Sequence, residues 1–217
     1  MGFGKAVFIN KDLEMNFDFA KKINPALKRF DWPEALGIAE AKLSALPTSE
    51  FHQVLGITLV GQAGELAEWV NKFYEGASKE TPLKAIYFEL NDFSINTDQW
   101  YIDGFGYDED GGLRARNMEW ICSWRIDTWD VTRTTFILKG YEDLQRTYEK
   151  YMKKYENSDP VPKDLEAAEG WCEQIIITRF MELMRTAHLK AKEKGMPWAR
   201  IPIYFTEHGY NFIVQSK

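Results

Sequence analysis

The segment Ala85-Ile-Tyr-Phe-Glu-Leu-Asn-Asp92 decides the fold, because the hydrophobic period of the chain changes there. Its apolar side chains alternate at Ile86, Phe88 and Leu90, which predicts a strand with one buried face. Three further strand candidates follow, at residues 100–102, 120–126 and 134–138. Neighbouring strands with short links favour an antiparallel meander.

A hairpin and a further short strand are predicted near the ends of the chain. Residues 201–205 and 210–214 surround the turn Glu207-His-Gly209, and this pattern predicts a C-terminal hairpin. Near the other end, Lys5-Ala-Val-Phe-Ile9 is a candidate for a short strand. The hairpin is expected to join the sheet that the meander forms.

The remaining segments carry helical signals. Apolar side chains recur at helical spacing in residues 31–46, 48–76, 141–155 and 164–194. The second of these helices either continues through Gly61 or restarts at Ala63, because interior glycines weaken a helix. We therefore predict a single α+β domain over residues 1–217, in which a central antiparallel sheet, made of the meander and the C-terminal hairpin, packs against three or four helices.

The composition excludes several classes of function. The 217 residues include 27 Lys+Arg and 33 Asp+Glu, and the resulting formal charge of −6 disfavours a generic nucleic-acid binder. No apolar run reaches the roughly 18–20 residues of a membrane span, and no signal-peptide pattern is present. Cys122 and Cys172 form no metal-binding spacing, and only three histidines occur. We expect a cytoplasmic protein without a metal or other cofactor.

The distribution of charge is the strongest functional signal. From Ala85 to Leu113 the chain contains no Lys or Arg, although it contains seven Asp and Glu residues interleaved with aromatic residues. Acids beside aromatics are typical of an interface that receives a basic partner, since charge steers the encounter and aromatic side chains anchor it. The predicted partner-binding residues are Asp98, Trp100, Tyr101, Asp103, Tyr107, Asp108, Glu109 and Asp110. The alternative is a solvated edge of the sheet whose aromatic side chains point inward.

The function favoured by this signal is a non-enzymatic protein-interaction module. One concrete form is an immunity or inhibitor protein of bacterial type, which would neutralise a basic partner such as a nuclease toxin. In that form, carboxylates would mimic phosphate charge, while Trp100, Tyr101 or Tyr107 would fill a pocket of the partner. No phosphate-binding glycine loop and no nucleophile-elbow motif occurs in the sequence.

A second hypothesis comes from two acidic motifs. Ala63-Gly-Glu-Leu-Ala-Glu68 places Glu65 and Glu68 on one helix face, and Glu89-Leu-Asn-Asp92 offers a second acidic pair. This stretch resembles the MazG-type nucleotide pyrophosphohydrolases over Leu55–Asp92, with Gln62 and Asn91 departing from the family pattern. The resemblance implies a Mg²⁺-dependent phosphohydrolase whose metal ligands are Glu65, Glu68, Glu89 and Asp92. A strand over residues 85–92 would point Glu89 and Asp92 to opposite faces, which argues against that site.

A third hypothesis is a domain that binds a small ligand. Its pocket would lie between the sheet and the helices and would be lined by Trp120, Trp124 and Trp129. The alternation of Trp120, Cys122, Trp124 and Ile126 separately predicts that these residues share one face of a strand over residues 120–126.

Overall fold

The computed structural model describes residues 11–93, 96–113, 119–155, 160–210 and 212–217. The six helices described are α1 (Lys11–Lys28), α2 (Trp32–Ser44), α3 (Ala63–Glu80), α4 (Thr128–Thr132), α5 (Glu142–Tyr155) and α6 (Lys163–Glu193). The six strands described are β1 (Ala85–Leu90), β2 (Tyr101–Tyr107), β3 (Ile126–Asp127), β4 (Phe136–Ile137), β5 (Ile203–Glu207) and β6 (Val214–Ser216). The predicted α+β class is confirmed. The prediction of a single domain stays a prediction.

The sheet has the strand order β3-β2-β1-β5-β6, and β4 pairs with β2 beside β3. The pairs of the meander and the pair of the C-terminal hairpin are antiparallel, as predicted. The hairpin joins the meander through a parallel pair, in which Leu90 of β1 lies opposite Glu207 of β5. The sheet is therefore mixed rather than wholly antiparallel, because the long connection through α5 and α6 returns the chain in the same direction.

One face of the sheet packs against the helices and forms the main core. Ile86, Phe88 and Leu90 of β1 are completely buried in this core, as their alternation predicts. Helix α6 crosses the core and buries residues on nearly all of its sides between Ala168 and Ala191. A helix that is apolar on most sides is one that is covered on most sides, and α6 accordingly packs against α1, α2 and α3.

The helix predicted over residues 48–76 is wrong before Ala63, but α3 begins at Ala63, where the alternative interpretation placed a restart. Two short 3-10 segments, Glu50–Val54 and Val60–Gln62, precede α3, which begins at Ala63. Between them, Gly56 has a φ of +80°, a left-handed conformation that a glycine adopts without strain. The glycines of this segment therefore mark a turn that lets α3 start in a new direction.

The strand predicted over residues 120–126 is wrong over most of its length. Glu119–Cys122 is a 3-10 turn, and only Ile126 and Asp127 are paired with β2. The indole N–H of Trp120 donates to the carbonyl of Gly112 at 3.2 Å, and its ring packs against Tyr107 and Tyr204. The alternation does not correspond to a buried face, because Trp120 is buried whereas Cys122 and Trp124 are exposed. The strand candidate Lys5–Ile9 lies outside the described residues.

Among the described residues, no helix is both long enough and apolar enough to cross a membrane.

Candidate binding face of the sheet

The face of the sheet that points away from the helices carries aromatic side chains at one end and carboxylates at the other. In the register of the sheet, Tyr87 lies opposite Phe105, and Glu89 lies opposite Asp103. Because side chains alternate along a strand, these four residues share the face opposite to Phe88 and the core. We call this surface the outer face.

The carboxylates of the outer face line a pocket of about 310 Å³. The lining residues are Glu89, Asn91, Asp92, Asn96, Tyr101, Asp103 and His208. We call this the acidic pocket. It lies where β1 and β5 both end, because the carboxyl ends of parallel strands meet at one edge of a sheet. That arrangement places His208, just after β5, with its Nδ1 atom 3.3 Å from Oε2 of Glu89.

Side-chain amides shape the loop that closes one side of the acidic pocket. Asn91, which is buried, accepts the backbone N–H of Tyr101 at 2.8 Å and donates to the carbonyl of Gln99 at 3.1 Å. Asn96 donates from its amide to the carbonyl of Asp92 at 2.9 Å. Asparagine is suited to such turns, because its short amide can replace backbone partners. The loop therefore holds Asp92 and Tyr101 at the pocket in a defined arrangement.

The first residue of α4 positions Asp103. The hydroxyl of Thr128 accepts the backbone N–H of Gly104 at 3.1 Å and donates to Oδ1 of Asp103 at 3.4 Å. Burial raises the pKa of Asp103 above its ordinary value, the hydrogen bond from Thr128 lowers it, and the nearby Asp127 and Glu89 raise it further. The carboxylates of this face are thus close enough to destabilise one another's charge.

Glu207 at the end of β5 has the most strongly perturbed carboxyl group near the acidic pocket. Burial, followed by the charges of Asp92 and Glu89, raises the pKa of Glu207 to about 9. A carboxyl group with that pKa is protonated and neutral at pH 7. Burial is the main reason that Glu207 keeps its proton, and the neighbouring charges of Asp92 and Glu89 add to the effect.

Three aromatic rings continue the outer face beside the acidic pocket. Phe105 stacks on Tyr87 with the ring centroids 6.1 Å apart, and Trp124 packs on Phe105 at 5.3 Å. We call these three residues the aromatic patch. Trp124 is 48% exposed, whereas the hydroxyl of Tyr87 donates to Oε1 of Glu89 at 3.1 Å. The aromatic patch and the acidic pocket are therefore joined, and a single bound group could contact both.

Two of the predicted partner-binding residues, Tyr101 and Asp103, line the acidic pocket. Two others are in the interior of the protein. Trp100 is completely buried against Phe93 and Tyr141, and Tyr107 is 1% exposed and donates its hydroxyl to the carbonyl of Ile121 at 2.7 Å. Buried side chains are not available to a partner, so the expectation that Trp100 or Tyr107 enters a partner's pocket is wrong.

The predicted acidic residues of the loop after β2 have partners within the protein or lie outside the pocket. Asp108 forms an ion pair with Arg125 at 3.0 Å, and Asp110 accepts hydrogen bonds from the hydroxyl of Tyr204 and from the N–H of Gly112. Asp98 and Glu109 are exposed, and neither lines the acidic pocket. The negative surface is therefore centred on the carboxyl end of β1 rather than on this loop.

The four carboxylates of the MazG-like motifs are not brought together. Glu65 pairs with Lys139 at 2.9 Å and Glu68 pairs with Lys194 at 2.8 Å, whereas Glu89 and Asp92 line the acidic pocket. Among the residues that the structure describes, no three Asp, Glu, His or Cys side chains form a group that could hold a metal ion. The expectation that Glu89 and Asp92 point to opposite faces is also wrong, because β1 ends at Leu90.

The three tryptophans proposed for a ligand pocket have different surroundings. Trp120 is buried on the outer face against Tyr107, whereas Trp124 and Trp129 are 48% and 56% exposed. An enclosed ligand pocket would bury all three rings. Trp124 instead belongs to the aromatic patch.

Sequence reasoning missed Asn91, Asn96 and His208 in the acidic pocket, and it missed Phe105 and Trp124 in the aromatic patch. The alternation of Tyr101, Asp103 and Phe105 along β2 was a signal that these residues share one face. No local signal brings His208 to Glu89, because that contact depends on the parallel pairing of β1 with β5.

Comparisons of this chain with family models, with curated proteins and with solved structures gave no match.

Proposed function

We propose that this protein is a non-enzymatic protein-interaction module, which binds a basic partner protein through the acidic pocket and the aromatic patch. The observation that carries the proposal is the self-repelling group of carboxylates at the carboxyl end of β1. Glu89, Asp92 and Asp103 line one pocket, and the pKa of Asp103 is raised by burial and then by the nearby charges of Asp127 and Glu89. A bound cation would relieve this repulsion, so the arrangement favours a positively charged ligand.

A side chain of Arg or Lys has the chemistry that both surfaces accept. Its charged end would enter the acidic pocket between Glu89 and Asp103, while its stem or guanidinium plane would lie on the aromatic patch. Cation–π contacts with an aromatic ring contribute about 0.5–1 kcal/mol at exposed sites. Carboxylates at the rim of an interface also accelerate the encounter with a basic protein.

More specifically, we propose that the protein is an immunity or inhibitor protein of a bacterial cell, which neutralises a basic partner such as a nuclease toxin. The proposal also includes a cytoplasmic location. That location is supported by the two cysteines, since Cys122 and Cys172 are both free thiols, as is usual in a reducing compartment.

The test compares two double variants that remove the same charge. In Glu89→Gln with Asp103→Asn, both changes lie in the acidic pocket; in Asp98→Asn with Glu109→Gln, both lie outside it. Each protein is used to capture partners from the source cell, and association with the captured basic protein is then followed by stopped-flow fluorescence. We expect the pocket variant to associate at least about tenfold more slowly at low salt, with a weaker dependence on salt.

The control variant should show a much smaller change in association rate, because its two carboxylates lie outside the pocket. Equal rates for the two double variants would contradict the assignment of the surface. Failure of the wild-type protein to retain any basic protein in preference to the pocket variant would contradict the proposed function itself.

A further inference from the structure

A second concave surface lies along β6, the edge strand of the described part of the sheet, away from the acidic pocket. One part of this groove, of about 460 Å³, is lined by residues that include Lys28, Phe30, Leu113 and Val214. An adjoining part shares Lys28 and Leu113 and extends to Lys217. None of these residues lines the acidic pocket. We call this surface the edge groove.

The floor of the edge groove is a strand that can accept another strand. In the described part of the sheet, β6 is the last strand and pairs with β5 alone. An edge strand directs part of its backbone N–H and C=O groups outward, where an extended segment can pair with them. The sheet itself is therefore a template for one more strand.

Side-chain contacts hold β6 in place from both faces of the sheet. Gln215 donates its amide to the hydroxyl of Tyr204 on the outer face. On the helix side, the hydroxyl of Ser216 accepts a hydrogen bond from Arg185 and lies 2.5 Å from Nδ1 of the buried His188. A strand fixed in this way loses little conformational entropy when a ligand binds, which favours binding.

The walls of the edge groove are apolar, and its charged residues are basic. Phe30 lies on the helix side with the guanidinium of Arg185 4.5 Å from its ring centroid, and Leu113 lies on the outer side with 38% of its surface exposed. Lys28 and Lys217 are both exposed, and the described lining includes no Asp or Glu side chain. In a chain with a net charge of −6, this is a local reversal of sign.

We propose that the edge groove binds an extended acidic peptide segment of a partner protein, which adds to the sheet as a strand beside β6. Backbone hydrogen bonds to β6 supply the register. An apolar side chain of the segment lies between Phe30 and Leu113, and its carboxylates lie near Lys28 and Lys217. Charge complementarity selects this occupant, and the site is independent of the acidic pocket, which has the opposite charge.

The probe for this site is a fluorescein-labelled, blocked peptide of ten alternating Glu and Val residues. Fluorescence anisotropy gives its affinity for the full-length protein. We expect the variant Lys28→Glu with Leu113→Ser to weaken binding at least about tenfold, since it reverses one charge and removes one apolar wall. The matched control, Lys72→Glu with Leu189→Ser, changes the same residue types at exposed positions elsewhere and should leave the affinity unchanged.

Backbone pairing is tested separately from charge. The same peptide with methylated backbone nitrogens at alternate positions should bind at least about tenfold more weakly if it adds as a strand. In amide NMR spectra, the unmodified peptide should shift the signals of residues 214–216 and leave those of residues 89–92 unchanged. Shifts at residues 89–92 without shifts at β6 would overturn the proposal, as would equal affinities for the groove variant and its control.

Two other occupants are outcomes of the same experiment. If Phe8→Asp in the full-length chain tightens peptide binding tenfold, the groove belongs to the chain's own segment 1–10, and the proposal is overturned. If the protein forms a dimer that the peptide dissociates, the occupant is a second copy, and the proposal is likewise overturned. None of these results depends on the basic partner proposed above.

Discussion

The pKa of the single residue Glu207 depends on its burial and on the charges around it. Its carboxyl group is largely buried at the end of β5, near Asp92 and Glu89, and its pKa is raised to about 9. In the unfolded chain the group ionises near its ordinary pKa of 4.5. Between pH 4.5 and 9 the native state therefore binds more protons than the unfolded state, and the free energy of unfolding decreases as the pH rises.

We expect Glu207→Gln to remove this pH dependence. Between pH 4.5 and pH 8, the free energy of unfolding of the variant should increase relative to that of the wild type by on the order of 2 kcal/mol. The reason is that the amide has no proton to lose when the chain unfolds. Urea unfolding at pH 4.5, 6 and 8 measures the effect. Glu109→Gln, at an exposed position, is the control. A difference between the Glu207 variant and the wild type that stays constant over this range would contradict the prediction.

At the scale of elements, two glycines allow β2 to lie close to its neighbours. A Cβ atom added to Gly104 would lie 2.7 Å from Cε1 of Phe88 and 2.9 Å from Cγ2 of Thr128. One added to Gly106 would lie 2.7 Å from Cδ2 of Leu83. Because Thr128 also holds Asp103, the close approach of α4 to β2 both fills the core and positions a residue of the acidic pocket.

We expect Gly104→Ala to reduce the free energy of unfolding by about 1–3 kcal/mol, because the added methyl group overpacks the contact between Phe88 and Thr128. Gly37→Ala is the matched control. Gly37 lies inside α2, and a Cβ added there would meet no atom within 4 Å beyond its chain neighbours and the backbone of its own helix, so alanine should stabilise by roughly 0.5–1 kcal/mol. Chemical denaturation gives both values, and changes of the same sign would refute this account of β2.

The elements that sequence analysis predicted are those whose signal is local. Alternation in residues 85–90 predicted β1, and the glycines near residue 61 indicated the point at which α3 begins. Residues 120–126 were misinterpreted because alternating apolar residues do not share a face here: Trp120 is buried by a 3-10 turn, whereas Cys122 and Trp124 are exposed. The parallel pairing of β1 with β5 has no local signature, and the acidic pocket depends on it.

At the scale of the whole molecule, His188 links the longest helix to the last strand. Its Nδ1 atom lies 2.5 Å from Oγ of Ser216, its Nε2 atom lies 3.3 Å from the carbonyl of Ala199, and its ring stacks on Trp198. Burial lowers the pKa of His188 to about 4, and Lys192 and Arg185 lower it further, whereas the hydrogen bond that the ring donates to the carbonyl of Ala199 raises it. The native state therefore keeps this histidine neutral.

This linkage predicts a loss of stability in mild acid. The unfolded state binds a proton on His188 near pH 6.5 and the native state only near pH 4, so the free energy of unfolding falls as the pH decreases through that window. We expect His188→Gln to be less stable than the wild type at pH 7 and to lose about 2 kcal/mol less between pH 6.5 and 4. Parallel pH profiles for wild type and His188→Gln would refute the linkage.

The parallel pair of β1 and β5 also has a consequence for biosynthesis. A ribosome delivers β1 and β2 long before β5, so one side of β1 has no neighbour while α5 and α6 are being translated. During that interval Ile86, Phe88 and Leu90 belong to an incomplete core, and the nascent chain offers an apolar strand edge to other chains. Chaperone engagement in the cell should therefore peak on nascent chains that include α6 but have not yet exposed residues 203–207.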